Sequence, residues 1–122
     1  MRTEILFPFT RAAIAENASC SRGVYSLYNE KKEVIYFGKA GRQTIAERLM
    51  QHTSPESECL KSVQYFTFET THNPDKRYAQ LVRKFQSTHG RLPECNERME
   101  RSAARSARHL ASSGVLTTAF LG

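Results

Sequence analysis

Apolar and polar positions alternate most clearly in two short runs in the first third of the chain. Val24-Tyr25-Ser26-Leu27-Tyr28 places Tyr25 and Leu27 on one face of an extended strand, with Val24, Ser26 and Tyr28 on the other. Asn29-Glu30-Lys31-Lys32-Glu33 is a polar reversal, and Val34-Ile35-Tyr36-Phe37 has the β-branched and aromatic content of a return strand. The pair predicts a hairpin opened by Gly23 and closed by Gly38, where the backbone bends or another group comes close. A third strand is expected over Lys61–Thr70, with Val63, Tyr65, Thr67 and Glu69 on one face and Phe66 and Phe68 on the other.

Helical periodicity fills the intervals. Phe7-Pro8-Phe9 should run extended, because proline restricts the residue before it, and its phenylalanines should cover an edge of the core. Thr10 can cap a short helix over Arg11–Glu16 that Asn17 stops. Thr44 and Glu47 form a capping box for a helix over Ile45–His52, with Ile45 and Leu49 on its buried side and Arg48 and His52 one turn apart beside them. Residues 53–58 read as a loop. Asn73 and Pro74 start a helix in which Tyr78, Leu81, Val82 and Phe85 follow a buried stripe, and Gly90 ends it. Arg91–Asn96 reads as an irregular connection. A last helix over Glu97–Ala111 carries Met99, Ala103, Ala107 and Leu110 on one side and Arg98, Arg101, Arg105 and Arg108 on the other. Ser112–Gly122 is small and apolar, with no clear element.

The elements predict one α+β domain over residues 1–122, a small three-stranded antiparallel sheet flanked by helices, with a core at about 22–96 and a basic helix at 97–111. No run is long and apolar enough to span a bilayer, and Ile5-Leu6-Phe7 is too short for a signal-peptide core, so the expected compartment is the cytoplasm, with no membrane partner. Eighteen Lys and Arg against 12 Asp and Glu leave a net charge of +6, which suits a polyanion such as nucleic acid. Cys20, Cys59 and Cys95 are odd in number and widely spaced, with no Cys-x-x-Cys pair. They read as three reduced thiols, not as a disulfide framework or a zinc site.

The hairpin resembles the signature of the GIY-YIG nuclease family: Gly23-Val24-Tyr25, ten residues, then Tyr36-Phe37-Gly38. Further matches follow in order. Lys39 comes directly after the second tripeptide, Arg48 precedes Leu49 at the position of the family's arginine, and His52 lies four residues on. Thr71–Pro74 and Arg91–Asn96 look like the family's closing segment. Singly, a strand tyrosine is more often a packing residue and a helical arginine a solvated one. Their joint occurrence is what makes them a candidate site.

The resemblance implies a metal-dependent endonuclease that hydrolyses phosphodiester bonds in DNA. Tyr25, Tyr36, Arg48 and His52 would be catalytic: a tyrosine or His52 would position or deprotonate water, and Arg48 would stabilise charge on the phosphoryl oxygens. Gly38, Lys39, Arg42, Arg98, Arg101, Arg105 and Arg108 would hold the nucleic acid. Mg²⁺ or Mn²⁺ would polarise the phosphate. The family holds that metal through a glutamate whose position here is Tyr78, and a neutral phenol is a poor ligand for a hard cation. Three readings follow. Glu69 supplies the carboxylate instead; or the register differs, although Gln80 and Asp75 are poor replacements; or the domain binds nucleic acid without cutting it.

Overall fold

The strand that opens the hairpin becomes the centre of a larger sheet than the pattern implies. The computed structural model describes residues 5–54 and 57–101. In it β1 (Phe7–Pro8), β2 (Gly23–Tyr28), β3 (Val34–Ala40) and β4 (Tyr65–Thr70) form one antiparallel sheet in the order β1-β4-β2-β3. The sheet therefore has four strands where three were expected. The fourth is the Phe7-Pro8 segment, which pairs with Phe66 and Tyr65, while the Phe9 N–H donates to the Gln64 carbonyl at 2.8 Å. Proline is tolerated there because β1 lies at the sheet edge. Phe7 and Phe9 pack on Phe66 with ring centroids 5.3 and 6.4 Å away, so these phenylalanines do cover an edge of the core.

Helices α1 (Arg11–Asn17), α2 (Ile45–His52) and α3 (Pro74–His89) start where their caps predict. Thr10 accepts the Ala13 N–H, Thr44 and Glu47 form the reciprocal capping box, and Asn73 accepts the Lys76 N–H ahead of Pro74. Gly90 closes α3 in the left-handed conformation, at φ 73°. The strand expected from Lys61 starts only at Tyr65, because Ser57 accepts the Cys59 N–H and winds Glu58–Ser62 into a tight 3-10 turn. The last helix, α4, is described over 94–101, so it begins three residues earlier than expected and takes in half of the supposed connection. Its first turn is fixed by the Glu97 N–H donating to the Pro93 carbonyl at 3.0 Å.

Both faces of β2 are buried. Tyr25 and Leu27, with the paired residues Phe66 on β4 and Tyr36 on β3, face α1 and α2 and share a core with Ile14, Ile45, Leu49 and Leu60. On the other face Phe37 meets Phe85 of α3 edge-on, with centroids 5.9 Å apart. The stripe Tyr78, Leu81, Val82 and Phe85 is only half-buried among the described residues.

The cysteines correct a further expectation. Cys59, in the 3-10 turn, and Cys95, in the first turn of α4, are joined in a disulfide with Cα atoms 5.6 Å apart, and Cys20 alone is free and exposed. Spacing along the chain could not reveal the pair, because the 36-residue separation is closed only by folding. Arg105 and Arg108, the apolar positions Ala103, Ala107 and Leu110, and the tail 112–122 lie outside the described residues.

Candidate functional site

Strand pairing places Tyr25 opposite Gly38, and the reason for the glycine is steric. A Cβ at Gly38 would overlap the Tyr25 ring, which lies directly across that backbone. Gly38, expected to touch substrate, thus serves first as the space in which Tyr25 lies. Replacing Gly38 with Ala is expected to cost about 1–3 kcal/mol by overpacking. At Gly41 an added Cβ meets nothing within 4 Å, so Gly41→Ala should stay within about 0.5 kcal/mol of the parent. Urea unfolding of the two variants checks this, and equal stabilities would contradict the steric reading.

Tyr25 is fully buried, and its hydroxyl lies 2.7 Å from Nε2 of His52, at the end of α2. Tyr36, Tyr25 and His52 form a ring cluster, with both tyrosine centroids 5.5 Å from the imidazole and 6.4 Å from each other. Burial raises the Tyr25 phenol well above its usual range, assisted by Tyr36 and opposed by the nearby Arg48 charge. Tyr36 is raised too, by burial first and then by Tyr78. Burial, followed by the Arg48 charge, pushes His52 down to about 4. All three rings are therefore neutral near pH 7. In the tautomer with its proton on Nδ1, His52 accepts the Tyr25 O–H.

The depressed His52 pKa has a consequence for stability. The unfolded chain takes up this proton below about 6.5, whereas the folded chain resists it until about 4. Stability from this group is complete above about pH 6.5 and falls as pH drops towards 4, by on the order of 3 kcal/mol in total. Urea unfolding across that range should show the loss in the parent and a flatter profile in His52→Gln. Parallel profiles would contradict it.

Arg48 lies one turn before His52, half-buried, with Nη1 donating to Gln51 Oε1 at 2.7 Å. It forms one wall of an open cleft of about 420 Å³ along the outer edge of β3. The polar lining is Tyr36, Lys39, Arg42, Gln43, Arg48 and Tyr78, with the backbone of 37–41 as floor. Tyr25 and His52 do not line the cleft, since they lie behind Tyr36 and Gly38. The structure thus brings Tyr25, Tyr36, Arg48 and His52 together, with only Tyr36 and Arg48 lining this cleft, while His52 lines a smaller cavity shared with Arg48 and Gln51.

Lys39 and Tyr78 close the other wall. The Lys39 ammonium is 2.8 Å from Asp75 Oδ1 and 5.2 Å from the centroid of the Tyr78 ring. Tyr78 is raised above the usual phenol range, by burial first and then by the Glu100 charge. Its hydroxyl receives a hydrogen bond from Asn96 Nδ2 at 3.3 Å. Asn96 is the residue that sequence reasoning missed, having appeared there only within the closing segment. Its side chain accepts the Phe37 N–H at 2.8 Å and donates to the Phe37 carbonyl at 3.0 Å, filling the ladder positions of the open edge of β3. One side chain thereby fixes the cleft floor and the Tyr78 hydroxyl.

The carboxylate offered as a metal ligand, Glu69, is engaged elsewhere. Glu69 pairs with Val24, so it points to the α3 face, away from Tyr25. There it takes a two-point contact from Arg77, with Nε at 2.6 Å and Nη2 at 3.1 Å. It does not line the cleft. Asp75 is bound by Lys39, and among the described residues no carboxylate lines the cleft. Among the described residues no group of three or more His, Cys, Asp or Glu could hold a metal ion. The donor set does not fit the Mg²⁺ or Mn²⁺ that the family resemblance implies. Arg98 and Arg101 are 3.0 and 3.5 Å from Glu94 and Glu97 on their own helix, and neither lines the cleft.

No protein-family model matches the chain, and no curated protein does. Among solved structures the chain is similar to the GIY-YIG N-terminal endonuclease domain of UvrC from Thermotoga maritima, a point mutant bound to its catalytic divalent cation. The TM-score is 0.47 and the identity 19%, over 66% of this chain and 91% of that one.

Proposed function

We propose that the domain recognises the phosphate backbone of nucleic acid, DNA foremost, in the cleft beside β3, on a scaffold of the GIY-YIG nuclease type. One observation carries the reading: among the described residues, the cleft is lined by three cationic side chains and two tyrosines, with no carboxylate. Arg48 offers a planar fork of donors, half-buried and steadied by Gln51, which suits two phosphoryl oxygens at once. Lys39 and Arg42 supply charge at the exposed rim, and the Tyr36 and Tyr78 phenols, neutral near pH 7 and raised further by burial, can donate to an anion.

Hydrolysis of DNA is the second reading, favoured by the ring cluster of Tyr25, Tyr36 and His52 beside Arg48. In it the neutral His52 is a base within reach of the Tyr25 proton, and Arg48 stabilises charge on the phosphate. Against it stand the burial of Tyr25 and the lack, among the described residues, of a carboxylate lining the cleft for Mg²⁺ or Mn²⁺. An electrophoretic shift and a plasmid-nicking assay, each with Mg²⁺, Mn²⁺ or EDTA, separate the two. The expected result is a shift without nicking. Nicking that needs a divalent metal and disappears in Arg48→Ala would establish the enzyme instead, and absence of any shift would overturn the nucleic-acid reading altogether.

A further inference from the structure

The cleft has the walls of a phosphate site, but its charge is arranged in a way that a metal-loaded site would not need. Its cations are side chains from three segments: Lys39 at the end of β3, Arg42 in the loop that follows, and Arg48 on α2. The Lys39 ammonium is drawn over the Tyr78 face and against Asp75, which holds it at the mouth between β3 and α3. The Tyr78 hydroxyl is fixed in turn by Asn96, so the wall carries a neutral donor where a carboxylate would be required to attract a cation. Three carboxylates close to the walls do not line the cleft: Glu69, on the same sheet face as Lys39 but two strands away, is bound by Arg77, Asp75 is paired with Lys39, and the Glu100 charge acts on Tyr78 from outside the lining. Among the described residues, a divalent ion entering the cleft would meet three like charges and no lining carboxylate.

We propose that this cleft binds the phosphodiester backbone of DNA without a divalent metal, with Lys39, Arg42 and Arg48 carrying the whole of the positive charge and Tyr36 and Tyr78 donating hydrogen bonds. This rests on reading the cleft as a nucleic-acid site. The Lys39–Asp75 pair does not obstruct it. Asp75 is 83% exposed, and an exposed ion pair is weak enough for a phosphate to share or replace the carboxylate. Sequence independence follows from the same arrangement, because every group named reaches phosphate oxygens and none is committed to a base edge.

The test is fluorescence anisotropy of a short labelled DNA duplex titrated with the full chain, in EDTA and then with Mg²⁺ or Mn²⁺ at matched ionic strength. Affinity equal within about twofold across the three conditions is expected. Lys39→Gln should weaken binding about tenfold, and Lys39→Arg, which keeps the charge, should stay within about threefold of the parent. Circular dichroism shows whether each variant is folded. Binding that appears only with added metal overturns the inference and leaves the nucleic-acid reading standing. Unchanged affinity in folded Lys39→Gln also overturns it. Absence of binding in every condition overturns both.

Discussion

A double variant, Arg42→Ala with Arg48→Ala, is expected to bind a DNA duplex about 100-fold more weakly than the parent near physiological salt. Each guanidinium that reaches phosphate accounts for roughly tenfold, and its loss also removes about one unit from the slope of log K against log salt, so the double variant should lose about two. The informative control is Arg98→Ala with Arg101→Ala. The sequence presents these as part of a basic stripe, but Arg98 and Arg101 spend their charge on Glu94 and Glu97 within α4 and do not line the cleft. That pair should change affinity by less than about threefold, because exposed charges away from the contact act only through a screened field. Equal losses in the two double variants would mean that the basic helix engages the DNA as much as the cleft does, and a loss confined to the α4 pair would mean that the cleft does not engage it.

Reduction of the disulfide is expected to produce the largest change in stability. The Cys59–Cys95 bond closes a separation of 36 residues. Chain entropy alone then gives about 4 kcal/mol, at the upper end of the usual range. For a domain of this size that corresponds to a fall in Tm on the order of 15 °C or more. The effect reaches the cleft as well. Cys95 precedes Asn96, whose amide holds the Phe37 backbone and the Tyr78 hydroxyl, so releasing the first turn of α4 loosens the floor and one wall together. Thermal unfolding followed by circular dichroism, with and without reductant and in Cys59→Ser/Cys95→Ser, measures this. Identical midpoints, with three reactive thiols in the native protein, would show that the pair is not bonded.

Local signals carried most of the fold. Thr10, Thr44 and Asn73 are caps whose side chains bond the backbone within one turn, so their helices can be placed from neighbours in the chain. The β2–β3 hairpin is local in the same sense. What the sequence concealed depends on partners far away. Phe7-Pro8 becomes a strand only because β4 offers it an edge, and Ser57 diverts residues that alternation alone would keep extended. The disulfide and the Asn96 contacts with Phe37, 59 residues apart, are invisible to spacing for that reason.

The candidate site was legible as a set of residues and not as an arrangement. Tyr25, Tyr36, Arg48 and His52 do converge. Alternation placed Tyr25 on the correct face but could not say that its ring would lie across Gly38, sealed from the cleft. The same alternation put Glu69 on the face opposite Phe66 and Phe68, and pairing with β2 shows that this is also the face opposite Tyr25. Tyr78 proves to be part of the cleft wall, with its hydroxyl fixed by Asn96.

The central claim is that phosphate enters the cleft between Arg48 and Lys39. The most direct measurement is the amide and arginine side-chain NMR spectrum during titration with a short DNA duplex in EDTA. The account predicts shifts concentrated in residues 36–43, in the Arg48 Nε–H and at Asn96, which is bonded to the cleft floor. Shifts confined to α4, or to the separate cavity lined by Ser21, Arg22, Thr70, Thr71 and His72, would contradict it.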